Sequence, residues 1–193
     1  MRIVGACTWM ISLFLMHTAW ANTSEKLVME VPENWVKVID RKAGNLHIAE
    51  YYPPDTGEEW TQKLTIEALL ADDLPDPLVF AQGLATEQER VCNDFSDNGV
   101  FAGFENGYPT TVHMMQCGES QRTGRALLTM IKVIQGNQAL YTITRIWRFP
   151  PKPAEQDQRS EIPIDQAELG AWSAVLRKIL ACDPALPAHP CPS

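Results

Sequence analysis

The residues best suited to chemistry by type and spacing are His113, Met114 and Met115. Imidazole and thioether ligands suit copper in an oxidising compartment. On a β-strand, His113 and Met115 would point to one face and Met114 to the other. The alternative, which we favour, is that Met114 belongs to the core and His113 is a surface or hydrogen-bonded residue. We therefore predict no cofactor and no metal site, and keep His113 and Met115 as the candidates if a metal is bound.

A second group combines cations with aromatic rings on one face of a predicted hairpin. If that face is covered only in part, the group would form a shallow surface for an acidic partner or a carboxylate ligand. The alternative, which we again favour, is that these side chains stabilise the sheet while residues 150–163 lie over them. The candidate binding residues are Lys132, Tyr141, Arg145 and Trp147.

The sequence has no pattern typical of a known catalytic centre. It contains no G-x-S-x-G elbow, P-loop, G-x-G-x-x-G or C-x-x-C motif. The acidic pairs Glu58-Glu59 and Asp72-Asp73 are neighbours in sequence, whereas an acid–base dyad needs two carboxylates facing each other across a cleft. We therefore lean towards a protein that is not an enzyme.

The segment that must position these residues runs from Arg125 to Phe149, where two apolar β-rich stretches meet at Gly136-Asn137. Both of these residues tolerate the positive φ of a tight hairpin turn. With them as the two-residue loop, Gln135 lies opposite Gln138. Neither strand is polar along a whole face, which predicts a hairpin near the middle of a sheet.

Helices are predicted at residues 76–91 and 166–181. Asp76-Pro77 and Asp165 are suitable residues to begin them, because an aspartate can cap the first helical N–H groups. With several antiparallel strands, these helices predict an α+β fold in which both helices pack on one face of the sheet and the second covers the core face of the hairpin. We expect a single domain over residues 22–193, with a Pro-rich connection at 150–163.

The first residues are typical of a secretory signal peptide. Arg2 is followed by an apolar stretch that ends in Ala19-Trp20-Ala21, which predicts cleavage after Ala21. A membrane anchor and lipidation at Cys7 are the alternatives. Residues 1–21 are therefore predicted to be a signal peptide, and the remainder to be periplasmic or secreted without stable membrane insertion.

The charge balance argues against two classes of partner. The formal net charge is −8, and loss of Arg2 with the signal peptide would make it one unit more negative. An acidic surface repels nucleic-acid phosphates and anionic lipids. We therefore expect no nucleic acid among the partners.

Four cysteines follow the predicted signal peptide, an even number in a chain expected to reach an oxidising compartment. The favoured pairing is Cys92 with Cys117 and Cys182 with Cys191, since the second pair closes a short Pro-rich loop. Zinc binding is the rival interpretation, but the close cysteine pairs typical of zinc sites are absent.

Three segments carry a resemblance to a known family. They are QGNQALYTITRIWRFPP from Gln135, NGYPT from Asn106 and CDPALPAHPCP from Cys182. From about Trp60 onward the chain resembles a family of exported proteobacterial proteins with no established activity. The resemblance implies export and a single domain, and it implies no mechanism.

Taken together, these features predict an exported, non-enzymatic binding or interaction protein of the bacterial envelope, with an envelope protein as partner. One rival is a small hydrolase-type enzyme whose residues converge only in the folded chain. Another is a periplasmic carrier of a metal or small ligand. The oligomeric state stays open.

Overall fold

The computed structural model describes residues 24–54, 56–57, 59–151 and 164–192. The predicted signal peptide and residues 152–163 of the predicted connection lie outside these ranges. The elements of the described residues are β1 (Lys26–Val28), β2 (Val36–Ala43), β3 (Leu46–Tyr52), β4 (Gln62–Leu70), α1 (Pro77–Arg90), β5 (Cys92–Glu105), β6 (Tyr108–Ser120), β7 (Ala126–Gln135), β8 (Ala139–Phe149), α2 (Gln166–Leu176) and β9 (Leu180–Cys182).

The strands form a seven-stranded sheet in the order β2-β3-β4-β8-β7-β6-β5 and a two-stranded sheet of β1 and β9. Every neighbouring pair is antiparallel. The predicted α+β class is confirmed. The β7–β8 hairpin lies in the interior of the large sheet, as predicted from its two apolar faces.

The register of that hairpin differs from the prediction. Gln135 lies opposite Leu140 instead of Gln138. The turn lies one residue later in the chain, and the Gly136 N–H donates to the Ala139 carbonyl at 2.9 Å. The partner of each residue therefore moves by two positions. Because side chains alternate with period two along a strand, the predicted faces remain correct although the predicted pairs are wrong.

The prediction that both helices pack on one face is wrong. Ala81 and Ala85 of α1 pack against residues of one face of the sheet, namely Met115, Ile131, Val133 and Leu140. Trp172 and Leu176 of α2 pack against the opposite face, with Leu128, Met130, Ile143 and Trp147. Because both faces of β7 and β8 are apolar, each face needs its own cover.

The predicted helix starts are confirmed, and one predicted end is wrong. The Asp76 side chain accepts hydrogen bonds from the Leu78 and Val79 N–H groups, and Asp165 accepts one from the Ala167 N–H. The second helix ends at Leu176 and not at residue 181. The chain then turns into β9, whose pairing with β1 supplies backbone hydrogen bonds that a longer helix would have made internally.

Both predicted disulfides are present. Cys92–Cys117 joins the start of β5 to β6 with a Cα–Cα distance of 5.6 Å, and Cys182–Cys191 joins β9 to the C-terminal segment at 5.0 Å. Two structural disulfides fit an exported protein. Within the described residues, no helix has the length and apolar character needed to cross a membrane.

Candidate functional site

The four candidate binding residues of the hairpin are buried. Lys132 is 0% exposed, Trp147 1%, Arg145 6% and Tyr141 8%. From the sequence, this face of the hairpin could be covered only in part, whereas in the structure α2 packs over it. A ligand or partner would have to displace α2 to reach these side chains.

Lys132 holds the C-terminal end of α2. Its Nζ donates to the carbonyls of Leu176 and Ile179, each at 2.7 Å, and pairs with the Glu105 carboxylate. The Leu176 carbonyl also accepts a longer bond from the Ile179 N–H at 3.3 Å. Carbonyls at the end of a helix lack N–H partners further along it, so a cation placed there helps to satisfy them. Burial lowers the pKa of Lys132, although its contact with Glu105 acts in the opposite direction.

Arg145 is enclosed by tryptophan rings. Its guanidinium carbon lies 4.2 Å from the ring centre of Trp35 and 4.9 Å from those of Trp147 and Trp172. It also donates to Gln62 Oε1 at 2.5 Å. Burial lowers the pKa of Arg145 to about 10, so the group stays charged at neutral pH. Stacking and charge together make this cluster a structural link between β8 and α2.

The metal candidates His113 and Met115 are buried on the α1 side of the sheet, at 1% and 0% exposure. His113 Nε2 lies 2.9 Å from Asp97 Oδ1, and Met115 packs with α1. A bond from the Gly99 N–H, followed by the His113 contact, lowers the pKa of Asp97. No group of three His, Cys, Asp or Glu side chains among the described residues is arranged to hold a metal ion.

The most exposed large apolar side chains lie on β5. Phe101 is 81% exposed and Phe104 is 77% exposed, with Val100 at 38%. Their opposite residues in β6 are Val112 for Phe101 and Pro109 for Phe104, which lie on different faces, so both sides of β5 carry an aromatic ring. Because β5 is the last strand of the sheet, one edge of its backbone pairs with no other strand of the described chain. We call residues 99–105 the β5 edge.

Acidic side chains surround the β5 edge. The strand contains Asp94, Asp97 and Glu105 and no lysine or arginine. Asp97 contacts His113, and Glu105 pairs with Lys132. The strand pairing is also irregular between Asp97 and Val100. Charges and bulges commonly protect an edge strand from pairing, so the first part of β5 is protected while Val100 to Phe104 is open.

The other edge strand, β2, has a different composition. It exposes Val36 at 52%, Val38 at 63% and Ile39 at 37%. It also carries Lys37, Asp40, Arg41 and Lys42, and edge lysines discourage strand addition. The β5 edge is therefore the better candidate for an interaction site.

The sequence does not indicate this site. Residues 99–105 read GVFAGFE, and apolar residues on both faces of a strand indicate burial as readily as an edge position. The order of the strands in the sheet decides whether such a strand is buried or lies at an edge, and the sequence contains no local signal for that order. The exposed phenylalanines are therefore a finding of the tertiary structure.

Comparison with known proteins supplies a fold and no family. No family model matches the chain, and no curated protein matches it. The Ran-binding protein Mog1p of Saccharomyces cerevisiae is similar in structure, with a TM-score of 0.52 at 11% sequence identity, over 81% of this chain and 94% of that protein. At this identity the similarity shows a shared fold alone.

Two further solved structures align at lower TM-scores. A Pseudomonas aeruginosa protein of unknown function, PA94, aligns with a TM-score of 0.44 and 16% identity, over 88% of this chain and 99% of that one. LpqN of Mycobacterium tuberculosis, a protein involved in cell envelope biogenesis, aligns with a TM-score of 0.47 and 12% identity, over 84% of this chain and 86% of that one.

Proposed function

We propose that this chain is an exported, non-enzymatic binding protein of the bacterial envelope, and that it docks an extended segment of a protein partner along the β5 edge. The observation that carries this proposal is the exposure of Phe101 and Phe104, 81% and 77%, on a strand with an open backbone edge. Covering one such ring contributes about 1.5–3 kcal/mol. An added strand would also satisfy the outward backbone groups of β5.

The acidic surroundings define the chemistry of the partner. The strand contains no lysine or arginine, and the chain as a whole carries a net charge of −8, although Asp97 and Glu105 are already paired with His113 and Lys132. An apolar strand flanked by lysine or arginine would complement this edge, whereas a second copy of the chain would bring its own acidic residues against it. A basic, apolar segment of an envelope protein is therefore the proposed occupant.

Three further points support this assignment. The two disulfides suit an oxidising compartment such as the periplasm. Membership of the exported proteobacterial family with the NGYP and HPCP segments is part of the proposal. The similar fold of Mog1p serves a protein that binds Ran, which is a precedent for protein binding on this fold and not for the same partner.

The rival enzyme hypothesis has less support. A hydrolase would need a histidine with a carboxylate in a cleft. His47 lies 2.7 Å from Asp40, but their side chains are 44% and 48% exposed on β3 and β2. The other pair, His113 with Asp97, has its imidazole buried at 1% side-chain exposure. The exposed apolar residues of the β5 edge therefore favour a binding function over catalysis.

Site-specific photo-crosslinking in cells of origin tests the proposal. A photoreactive amino acid replaces Phe101 in one variant and Val79 in another, because Val79 is also an exposed apolar residue, 64% exposed on α1. We expect a discrete adduct with one envelope protein from position 101 and none from position 79. The adduct should disappear when Phe104 is also changed to serine.

Two results would contradict the proposal. Equal labelling from positions 79 and 101 would mean that β5 makes no specific contact. A product from position 101 that contains only two copies of this chain would replace the partner with self-association at the same edge.

A further inference from the structure

A cavity of about 380 Å³ lies between the C-terminal half of α1 and the sheet, on the side opposite α2. Its size is in the range of small-molecule sites. Most of its wall is apolar and comes from Trp60, Leu84, Val91, Cys117, Leu127 and Ile146. The disulfide between Cys92 and Cys117 fixes one side of this wall.

Two polar atoms on the wall lack partners. Thr129 is 3% exposed, and its Oγ1 has no hydrogen-bond partner among the described residues; the same is true of Gln88 Nε2. Both residues line the cavity. A buried hydroxyl or amide without a partner is unfavourable, so native proteins satisfy such groups with protein, water or ligand. The cavity therefore offers a donor and a hydroxyl to a molecule inside it.

Positive charge is available at the rim. Lys63 and Arg122 line the cavity, and the Arg122 guanidinium forms no ion pair with any described residue. The acidic residue of the rim, Glu87, is already paired with Arg90 at 2.5 Å. Lys63 is paired with Glu50 at 3.1 Å. Arg122 is thus an exposed cation beside an apolar cavity, in a chain with a net charge of −8.

We propose that this cavity binds a small amphipathic carboxylate, with its hydrocarbon part against the apolar wall and its carboxylate at Arg122. A volume of 380 Å³ corresponds to about a dozen water-sized heavy atoms. A saturated medium-chain fatty acid such as decanoate fits that size and charge pattern. Thr129 and Gln88 also line the cavity and would provide hydrogen bonds to a polar group that enters it.

This site is separate from the β5 edge. Its lining residues come from α1, β4, β6, β7 and β8 and from the connections next to them, where Trp60, Val91, Arg122 and Thr123 lie, and none belongs to residues 99–105. Loss of protein binding by Phe101 variants would therefore leave carboxylate binding intact. The two proposals can fail independently.

The test is calorimetric titration of the intact mature protein with decanoate below its aggregation concentration. Decanol and butyrate are the comparison probes. Decanol lacks the negative charge, and butyrate lacks most of the apolar chain. We expect saturable one-to-one binding of decanoate and clearly weaker binding of both comparison probes. Arg122→Gln should weaken decanoate binding about tenfold or more, because a charge-assisted hydrogen bond is lost.

Arg177→Gln is the matched control. It removes the same charge from an exposed position at the end of α2, on the other side of the sheet, and should leave the affinity unchanged. Thr129→Val tests the interior of the cavity with little change of shape and should also weaken binding. No saturable decanoate binding, equal affinities of the Arg122 and Arg177 variants, or decanol binding as tightly as decanoate would each overturn the proposal.

Discussion

The carboxylate of Glu25 accepts a hydrogen bond from the backbone N–H of Asn137 at 2.6 Å, across 112 residues of sequence. The Gln138 N–H at 3.4 Å and the Tyr141 hydroxyl at 3.3 Å donate to the same carboxylate. Glu25 is 6% exposed. The N-terminal segment therefore closes over the turn of the central hairpin and supplies an acceptor for its free amides.

Replacement of Glu25 by glutamine should destabilise the protein by about 1–2 kcal/mol, because bonds from backbone amides to a carboxylate become weaker neutral ones. Urea denaturation of the purified protein measures the change. Glu30→Gln is the control, since Glu30 is exposed close by in sequence. Equal midpoints for the two variants would show that the Glu25 contact contributes nothing.

Gly136 is required by the same contact. A Cβ at this position would collide with the Glu25 carboxylate. Gly136→Ala should therefore destabilise the natural chain more than it destabilises a Glu25→Ala variant, where the colliding atoms are gone. A double-mutant cycle by urea denaturation measures this coupling. Additive effects would mean that the turn accommodates the methyl group by moving elsewhere.

Lys132→Met should cost about 2–4 kcal/mol, because the Leu176 and Ile179 carbonyls lose a charged donor and Glu105 loses its cation. The control is Lys37→Met, whose ion pair with Asp40 is about half exposed, with side-chain exposures of 44% and 48%. We expect a clearly smaller loss of stability there, because an exposed ion pair contributes little. A small effect of Lys132→Met would show that the apolar contacts of the new side chain compensate for the lost bonds.

Arg145→Lys preserves the charge and removes the planar group that lies among Trp35, Trp147 and Trp172. We expect a loss of about 1–3 kcal/mol in thermal or urea unfolding, since a lysine makes poorer stacking and fewer directed hydrogen bonds. Arg125→Lys is the control, because Arg125 is 38% exposed and pairs with Glu59, 79% exposed. Similar stability of both variants would contradict a structural role for the ring cluster.

Alkaline pH should weaken the fold through its tyrosines. Burial, together with the nearby Glu25 carboxylate, raises the pKa of Tyr108 and Tyr141, and burial with the Glu50 bond raises that of Tyr52. Above the ordinary tyrosine pKa of about 10, the unfolded chain releases these protons first. The stability present below that pH is therefore lost as pH rises further.

Urea midpoints across this alkaline range measure the effect, with tyrosinate absorbance as the direct reading of ionisation. Tyr141→Phe should show a shallower decline than the natural chain. The lowered pKa of Lys132 works in the opposite direction, towards greater stability as pH rises, but it is common to both proteins and cancels in the comparison. Identical slopes would contradict the assignment to Tyr141.

Features that depend on neighbouring residues were predictable from the sequence. The Asp76 cap forms with N–H groups two and three residues further on, and the short Pro-rich loop brings Cys182 to Cys191 across a separation of 9 residues. The α+β class follows from these local elements taken together.

Features that depend on residues far apart in the chain were not predictable from the sequence. The hairpin turn lies one residue later than predicted. In the structure, backbone N–H groups of this turn donate to the distant Glu25 carboxylate, and no local pattern at Gly136-Asn137 indicates that contact. Lys132 and Arg145 are long cations, and such side chains usually reach water. Instead, the carbonyls at the end of α2 and the ring of Trp172 satisfy them inside the protein.

By itself, the sequence determined the class of fold, the helix starts and the two faces of the central hairpin, because short-range geometry and period-two alternation specify each of them. It favoured one disulfide pairing among three, and the tertiary structure decided that pairing. Only the tertiary structure decided which face α2 covers, which strand forms the open edge, and that Thr129 Oγ1 and Gln88 Nε2 find no hydrogen-bond partner among the described residues. These properties depend on strand order and on packing between elements far apart in the chain, where many arrangements satisfy the same local pattern.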